Sequence, residues 1–315
     1  MAVSGRVIRN RIKSVKNTKK ITKAMELVSA AKMRRATASA VQSRSYAGYA
    51  WELLLRLRAQ APVDHPLFAQ RPVKKLLLVV ISSNRGLAGG FNANVGKKLA
   101  QQLKNLPQLL RSRVGDKTVE SSVTDVEIEY ITVGKRAESS VRKQGGKIVA
   151  SFIDISDTPK FAEAQPLVNM VVQSFAKQEY DKVAIVYTHF VSPLLQTAKI
   201  RQVLPVSEVD LEKTLGADAS MPADHKNFEE KFLLLEPSAE KIITTAVTRL
   251  IESQVFETVL ESAASEHSAR MMAMRSASDA ATDMIDSLTL VFNQARQASI
   301  TKEISEISAG KAALE

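Results

Sequence analysis

The sequence predicts a mixed α/β chain in which both termini form a long antiparallel two-helix coiled coil around a central α/β domain. Three observations predict it: an unbroken helical pattern at each end, opposite charge on those ends, and short β-branched runs between them. At the amino end Ile8, Ile12 and Val15, then Ile21, Met25 and Val28, recur at steps of three and four, and neither Pro nor Gly occurs from Arg6 to Ala47. Pro62 and Pro66 stop the pattern. At the carboxyl end Ile243, Val247 and Leu250, and later Met284, Leu288, Val291 and Ala295, keep a similar beat, with no Pro or Gly from Ser238 to Ala309. Ser238 follows Pro237 and is placed to cap that helix. At ~1.5 Å per residue the helices would reach ~80 Å and ~100 Å, longer than an ordinary globular core. Each therefore needs a partner helix, and the nearest candidate is the other terminus. Frequent Ala and Ser, as in LVSAAK (27–32) and ESAASEHSARMMAMRSASDAA (261–281), let two backbones approach closely.

Charge is segregated. Residues 1–35 carry eleven Lys and Arg against Glu26 alone, a balance of +10, nearly the whole +11 of the 315-residue chain. Residues 236–315 carry twelve acids and seven bases, about −5. Exposed ion pairs contribute only about 0–1 kcal/mol each, so packing along the seam should dominate the pairing. The basic end calls for an anionic partner. Aromatics at 5% weaken a single-stranded nucleic-acid reading. The absence of cysteine removes disulfides, thiolate metal sites and thiol switches. The longest apolar runs, such as Leu76 to Ile81, fall far short of the ~20 residues that cross a bilayer. The amino end has no hydrophobic signal core, so a soluble chain on the cytoplasmic side is expected.

The middle alternates strands and helices. KKLLLVVISS (74–83), VEIEYITVG (126–134), KIVASF (147–152) and KVAIVYTHF (182–190) read as strands, and 92–103, 135–144 and 161–178 as helices. Such alternation predicts a mostly parallel, doubly wound, Rossmann-like sheet. The expected organisation is 1–60 as the amino-terminal coiled-coil helix, 73–235 as the central α/β foot, and 236–315 as the carboxyl-terminal helix. A variable loop is expected at about 206–228.

The turn SSNRGLAGGFN (82–92) sits where a phosphate loop would, but Gly86, Gly89 and Gly90 match neither G-x-G-x-x-G nor a P-loop. These glycines read as serving a tight turn and close helix packing, with Arg85 a possible contact residue. His65, His189, His225 and His267 lack ligand spacing, and His267 reads as a surface or seam residue. No G-x-S-x-G elbow occurs. Met271, Met272 and Met274 read as core filling. The expectation is therefore no catalytic residue, no cofactor and no metal. Two rivals stay open: a basic coiled coil bound to nucleic-acid phosphates, and a nucleotide-dependent enzyme built on the sheet.

ITKAMELVSAAKMRRA (21–36), ESAASEHSARMMAMRSAS (261–278) and FNQARQASITKEISEISAGKAAL (292–314) closely resemble the gamma subunit family of F-type ATP synthase, of the bacterial type. The turn SSNRGLAGGFN and the strand around YTHFV share the likeness, so it covers nearly the whole chain. Asn84, Ala88, Ala280, Phe292 and Lys311 stand where the family usually has Asp, Cys, Asn, Tyr and Ala. The resemblance implies a non-catalytic rotor subunit, peripheral on the cytoplasmic face of the cell inner membrane. Its terminal helices would form an asymmetric shaft inside the ring of alpha and beta subunits. Its α/β foot would sit on the membrane c-ring beside the epsilon subunit, with no nucleic acid and no membrane span of its own. It also implies partner-contact positions at Met25 in the first helix and at Arg270, Arg296, Gln297, Thr301, Glu303 and Glu306 in the last. The plastid cysteine insertion is missing, so no thiol control is expected.

Overall fold

Six consecutive apolar residues, Leu76 to Ile81, suit a strand covered on both faces, and each is at most 3% exposed. The computed structural model describes residues 5–60, 66–69, 71–114, 117–119, 126–206 and 238–312. In chain order the elements are α1 (Gly5–Gln60), β1 (Lys75–Ile81), α2 (Phe91–Lys104), α3 (Leu106–Leu110), β2 (Ser112–Val114), β3 (Lys117–Val119), β4 (Glu127–Val133), α4 (Lys135–Arg142), β5 (Lys147–Phe152), α5 (Phe161–Ala176), β6 (Lys182–Phe190), β7 (Gln196–Leu204) and α6 (Ala239–Ala312). The two terminal helices run 56 and 74 residues. Ser238 caps α6, its Oγ accepting from Lys241 N–H at 3.4 Å and its carbonyl from Ile242 N–H at 3.2 Å.

The chain divides into two compact units, Met1–Ala30 with Arg270–Glu315, and Ala31–Ala269. The second holds a five-stranded sheet of order β5-β4-β1-β6-β7. Its first four strands are parallel and β7 is antiparallel to β6. On one face, Leu77, Val79 and Ile81 of β1 and Val183, Ile185 and Tyr187 of β6 pack with Leu167, Val171 and Phe175 of α5. Ile243, Val247, Leu250, Ile251, Val255 and Val259 of α6 complete that core. On the other, Leu76, Leu78 and Val80 pack with Val95 and Leu99 of α2 and with Ala137 and Val141 of α4. The alternation along β1 is the strand period of two dividing its residues between two helix layers. Within this unit α1 lies antiparallel to α6: Ala36 packs with Ala263 and Ala264, and Ser43 Oγ is 3.5 Å from Ser253 Oγ.

The expected mixed α/β class holds, with a parallel-rich sheet and terminal helices that pack together. Three features were not foreseen: the short helix α3, the β2–β3 hairpin, and the nine-residue edge strand β7. The expected variable loop at 206–228 lies outside the described residues apart from Val206.

Candidate functional site

In the unit formed by the two chain ends, α1 and α6 pair through small residues. Thr22 Oγ1 and Ser278 Oγ are 2.7 Å apart, both buried. Ile8, Ser29, Met274 and Ala281 are also buried. A Cβ added to Gly5 would meet the Phe292 ring at 3.7 Å, and the Arg9 guanidinium stands 5.3 Å from that ring's centroid. Among the described residues, Lys23–Glu26 at 2.9 Å is the ion pair formed by the α1 cations of this unit, and it lies within α1. The described contacts of the seam are small-residue packing and the Thr22–Ser278 hydroxyl pair.

That leaves a basic and partly apolar exterior. Ile21, Leu27 and Val28 of α1 are each more than half exposed. On α6 every residue from Arg296 to Gly310 is exposed, and Ile300, Ile304 and Ile307 fall on one helical face at 48%, 58% and 73% exposure. Bare isoleucines on a long helix mark a surface shaped for another molecule.

The expected contact residues fall into two sets. Arg296, Gln297, Thr301, Glu303 and Glu306 share the exposed end of α6. Thr301 Oγ1 donates to the Gln297 carbonyl at 2.9 Å, Ser299 Oγ to Glu303 Oε1 at 3.3 Å, and Lys302 Nζ reaches Glu306 at 3.6 Å. Arg270 is 7% exposed and lies 26 positions before Arg296, about 39 Å along the helix. Met25 is half-buried on α1. The structure does not bring Met25 or Arg270 to the other five.

In the α/β unit, strand order reverses between β1 and β6, where doubly wound sheets bind nucleotides at the strands' carboxyl ends. Here α6 occupies that crevice. Ser265 Oγ donates to the Thr188 carbonyl at 3.2 Å, His189 Nδ1 to Glu261 Oε2 at 2.6 Å, and Ser268 Oγ to the Pro193 carbonyl at 2.7 Å. The glycine-rich turn is filled by its own side chains, since Asn92 Oδ1 accepts from Ser82 Oγ at 2.6 Å, Ser83 Oγ at 2.8 Å and Ser83 N–H at 3.2 Å. The space left among Ser82, Gly134, Asp157 and Glu266 is about 40 Å³. A nucleotide needs hundreds of cubic ångströms. The enzyme reading of the sheet therefore has no room at its expected place. Among the described residues no cluster of His, Cys, Asp and Glu has metal-ligand geometry, and no helix is long and apolar enough to cross a membrane.

Sequence reasoning missed the polar residues that α6 buries against the sheet. Glu257, at 1% exposure, accepts from Arg201 NH1 at 3.1 Å, and Glu261 is 2% exposed. His267 is 1% exposed, with Nε2 2.6 Å from the Asp157 carbonyl, so it is neither a surface nor a seam residue. Asp157 itself was not singled out. Lys32 beside it holds its carboxyl below the ordinary aspartate value, with Arg85 and His267 adding to the effect against partial burial. Near the strands' amino ends Lys147 and Tyr180 lower the Glu129 carboxyl, while burial and that carboxylate raise the Tyr180 phenol.

Two long helices, one of them exposed at its tip, accompany an α/β body in which α6 fills the switch-point crevice, an arrangement that suits a structural subunit. A family model described as ATP synthase matches residues 4–314. The curated ATP synthase gamma chain of Pelotomaculum thermopropionicum is 38% identical over 311 residues, covering 98% of this chain and 99% of that one. That of Acidithiobacillus ferrooxidans is 38% identical over 308 residues, covering 98% of each. The chain belongs to the ATP synthase gamma chain family. Its fold is shared by a chain of the Euglena gracilis mitochondrial ATP synthase in a structure of OSCP, F1 and c-ring, with TM-score 0.59 and 19% identity over 99% of this chain and 94% of that one. A chain of the Tetrahymena thermophila mitochondrial central stalk and c-ring gives TM-score 0.53 and 22% identity over 82% of this chain and 99% of that one.

Proposed function

We propose that this chain is the central-stalk rotor of an F-type ATP synthase, passing torque from a membrane ion-driven ring to the catalytic beta subunits and having no catalytic site of its own. Membership of the gamma chain family across 98% of the sequence carries this reading. By role the chain divides into helix 1–60, foot 73–235 and helix 236–315. Its partners are the alpha and beta subunits, the epsilon subunit and the membrane c-ring, on the cytoplasmic face of the cell inner membrane.

The mechanism follows from asymmetry. A two-helix shaft has no threefold symmetry, so in a ring of three alpha–beta pairs it presents a different face to each beta subunit. Each orientation stabilises one set of beta conformations over the others, and turning the shaft moves that preference around the ring. Arg296, Glu303 and Glu306, exposed on the α6 tip, would make charge-assisted contacts with moving beta loops, and Arg270 would do so lower on the same helix. Gln297 and Thr301 would add neutral hydrogen bonds. Met25 would lie at the bearing, where added bulk or charge hinders turning. The cations from Arg6 to Lys20 suit acidic loops of the ring.

Reconstitution with alpha and beta subunits tests this. ATP hydrolysis by the ring should rise when the chain is added, and identical rates with and without it would remove the rotor reading.

A further inference from the structure

Asp157, in the segment between β5 and α5, collects groups from three other parts of the α/β unit. Lys32 Nζ of α1 donates to its Oδ2 at 2.7 Å. Arg85 of the glycine-rich turn approaches the same oxygen at 4.0 Å. His267 of α6 sets Nε2 2.6 Å from the Asp157 carbonyl. The turn that carries Arg85 is itself tied down: Asn84 Nδ2 donates to the Ile153 carbonyl at 2.9 Å, and Asn84 Oδ1 accepts from Lys135 N–H at 3.1 Å. This is an occupation for the SSNRGLAGG turn that neither phosphate binding nor the rotor reading supplies.

The positions along the helices are informative. Lys32 is the second α1 residue of this unit, and His267 is two residues before its end at Ala269. Asp157 therefore meets both long helices at their last turns inside the α/β unit, α1 through its carboxylate and α6 through its backbone carbonyl. Nearby the helices meet through Ala36, Ala263 and Ala264, whose apolar packing is non-directional, and through the neutral Ser43–Ser253 hydroxyl contact at 3.5 Å. A charge-assisted hydrogen bond is directional. With the Lys32 and Asp157 side chains only 31% and 28% exposed, the pair is less screened than a surface pair.

We infer that Asp157 is a positioning residue that clasps α1 and α6 to the sheet, so that twist applied to the foot reaches the helices without slip. The inference rests on the rotor reading. Side-chain substitution removes the α1 arm of the clasp, keeps the backbone contact to His267 and leaves the α6 tip untouched, so hydrolysis by the catalytic portion alone continues, while work against a load falls.

The test uses the whole ATP synthase in inverted vesicles, comparing ATP-driven ion pumping with ATP hydrolysis. Asp157→Asn and Lys32→Gln should each lower pumping per ATP by about twofold or more, the scale on which mutations along a coupling network act. Hydrolysis by the detached catalytic portion should stay at the wild-type rate. Lys32→Arg and Asp157→Glu should restore the ratio, which a purely steric role would not allow. If Asp157→Asn does not assemble, Lys32→Gln against Lys32→Arg decides the matter. A wild-type ratio in Lys32→Gln, or no recovery in Lys32→Arg, overturns the clasp alone. A wild-type chain that supports no pumping takes down the rotor reading and the clasp with it.

Discussion

Gly134 shows how one residue sets the plugged crevice. Its φ is +89°, and a Cβ there would stand 2.4 Å from the Ser82 carbonyl oxygen. Gly134→Ala should destabilise the full chain by about 2–3 kcal/mol or more, read as a lower urea midpoint. Arg201 is a second such position. Arg201→Met strips the guanidinium from Glu257, leaving a carboxylate at 1% exposure, and should cost about 3–5 kcal/mol by the same measurement. Asp157 adds a pH signature. Its folded-state pKa is lowered, so its contribution is complete above the ordinary aspartate value and is lost as pH falls through the lower folded value. The gap in urea midpoint between wild type and Asp157→Asn should therefore be constant near neutrality and close below about pH 4.

Among the elements, the long helices were the most legible in the sequence. The absence of Pro and Gly is a strong local signal, and it extended to within a few residues of where α1 and α6 begin. Strands β1, β4, β5 and β6 were legible because burial on two faces, or clean alternation, writes itself as apolar and β-branched runs. The edge strand β7 was not: QTAKIRQVL has one open edge and carries Lys199, Arg201 and Gln202, so its run reads as polar loop. Nor was the α6 stretch Glu252–Ser268, where Glu257, Glu261 and His267 look like a solvated helix face but are buried by pairing with β6, β7 and Asp157. Partners distant in sequence made those positions, and a single helical pattern carries no trace of them. The contact positions on the α6 tip were reached through resemblance, since composition shows only an exposed helix. At this scale the seam itself can be tested. Thr22→Cys with Ser278→Cys, whose hydroxyls lie 2.7 Å apart, should form a disulfide under mild oxidant. If the helices turn as one body, ATP hydrolysis by the assembled complex should be unchanged by that bond.

For the whole molecule, a +10 balance within the first 35 residues is charge that suits an acidic partner. Association of the chain with the ring should slow as salt is raised, since steering between opposite charges is screened. The most direct measurement is rotation itself: the ring is fixed to a surface, a probe is attached to the α/β body, and ATP is supplied. The probe should turn continuously in one sense, at a rate that follows hydrolysis. A probe that stays still, or wanders equally in both senses while the ring hydrolyses ATP, would contradict the proposal that this chain is the rotor.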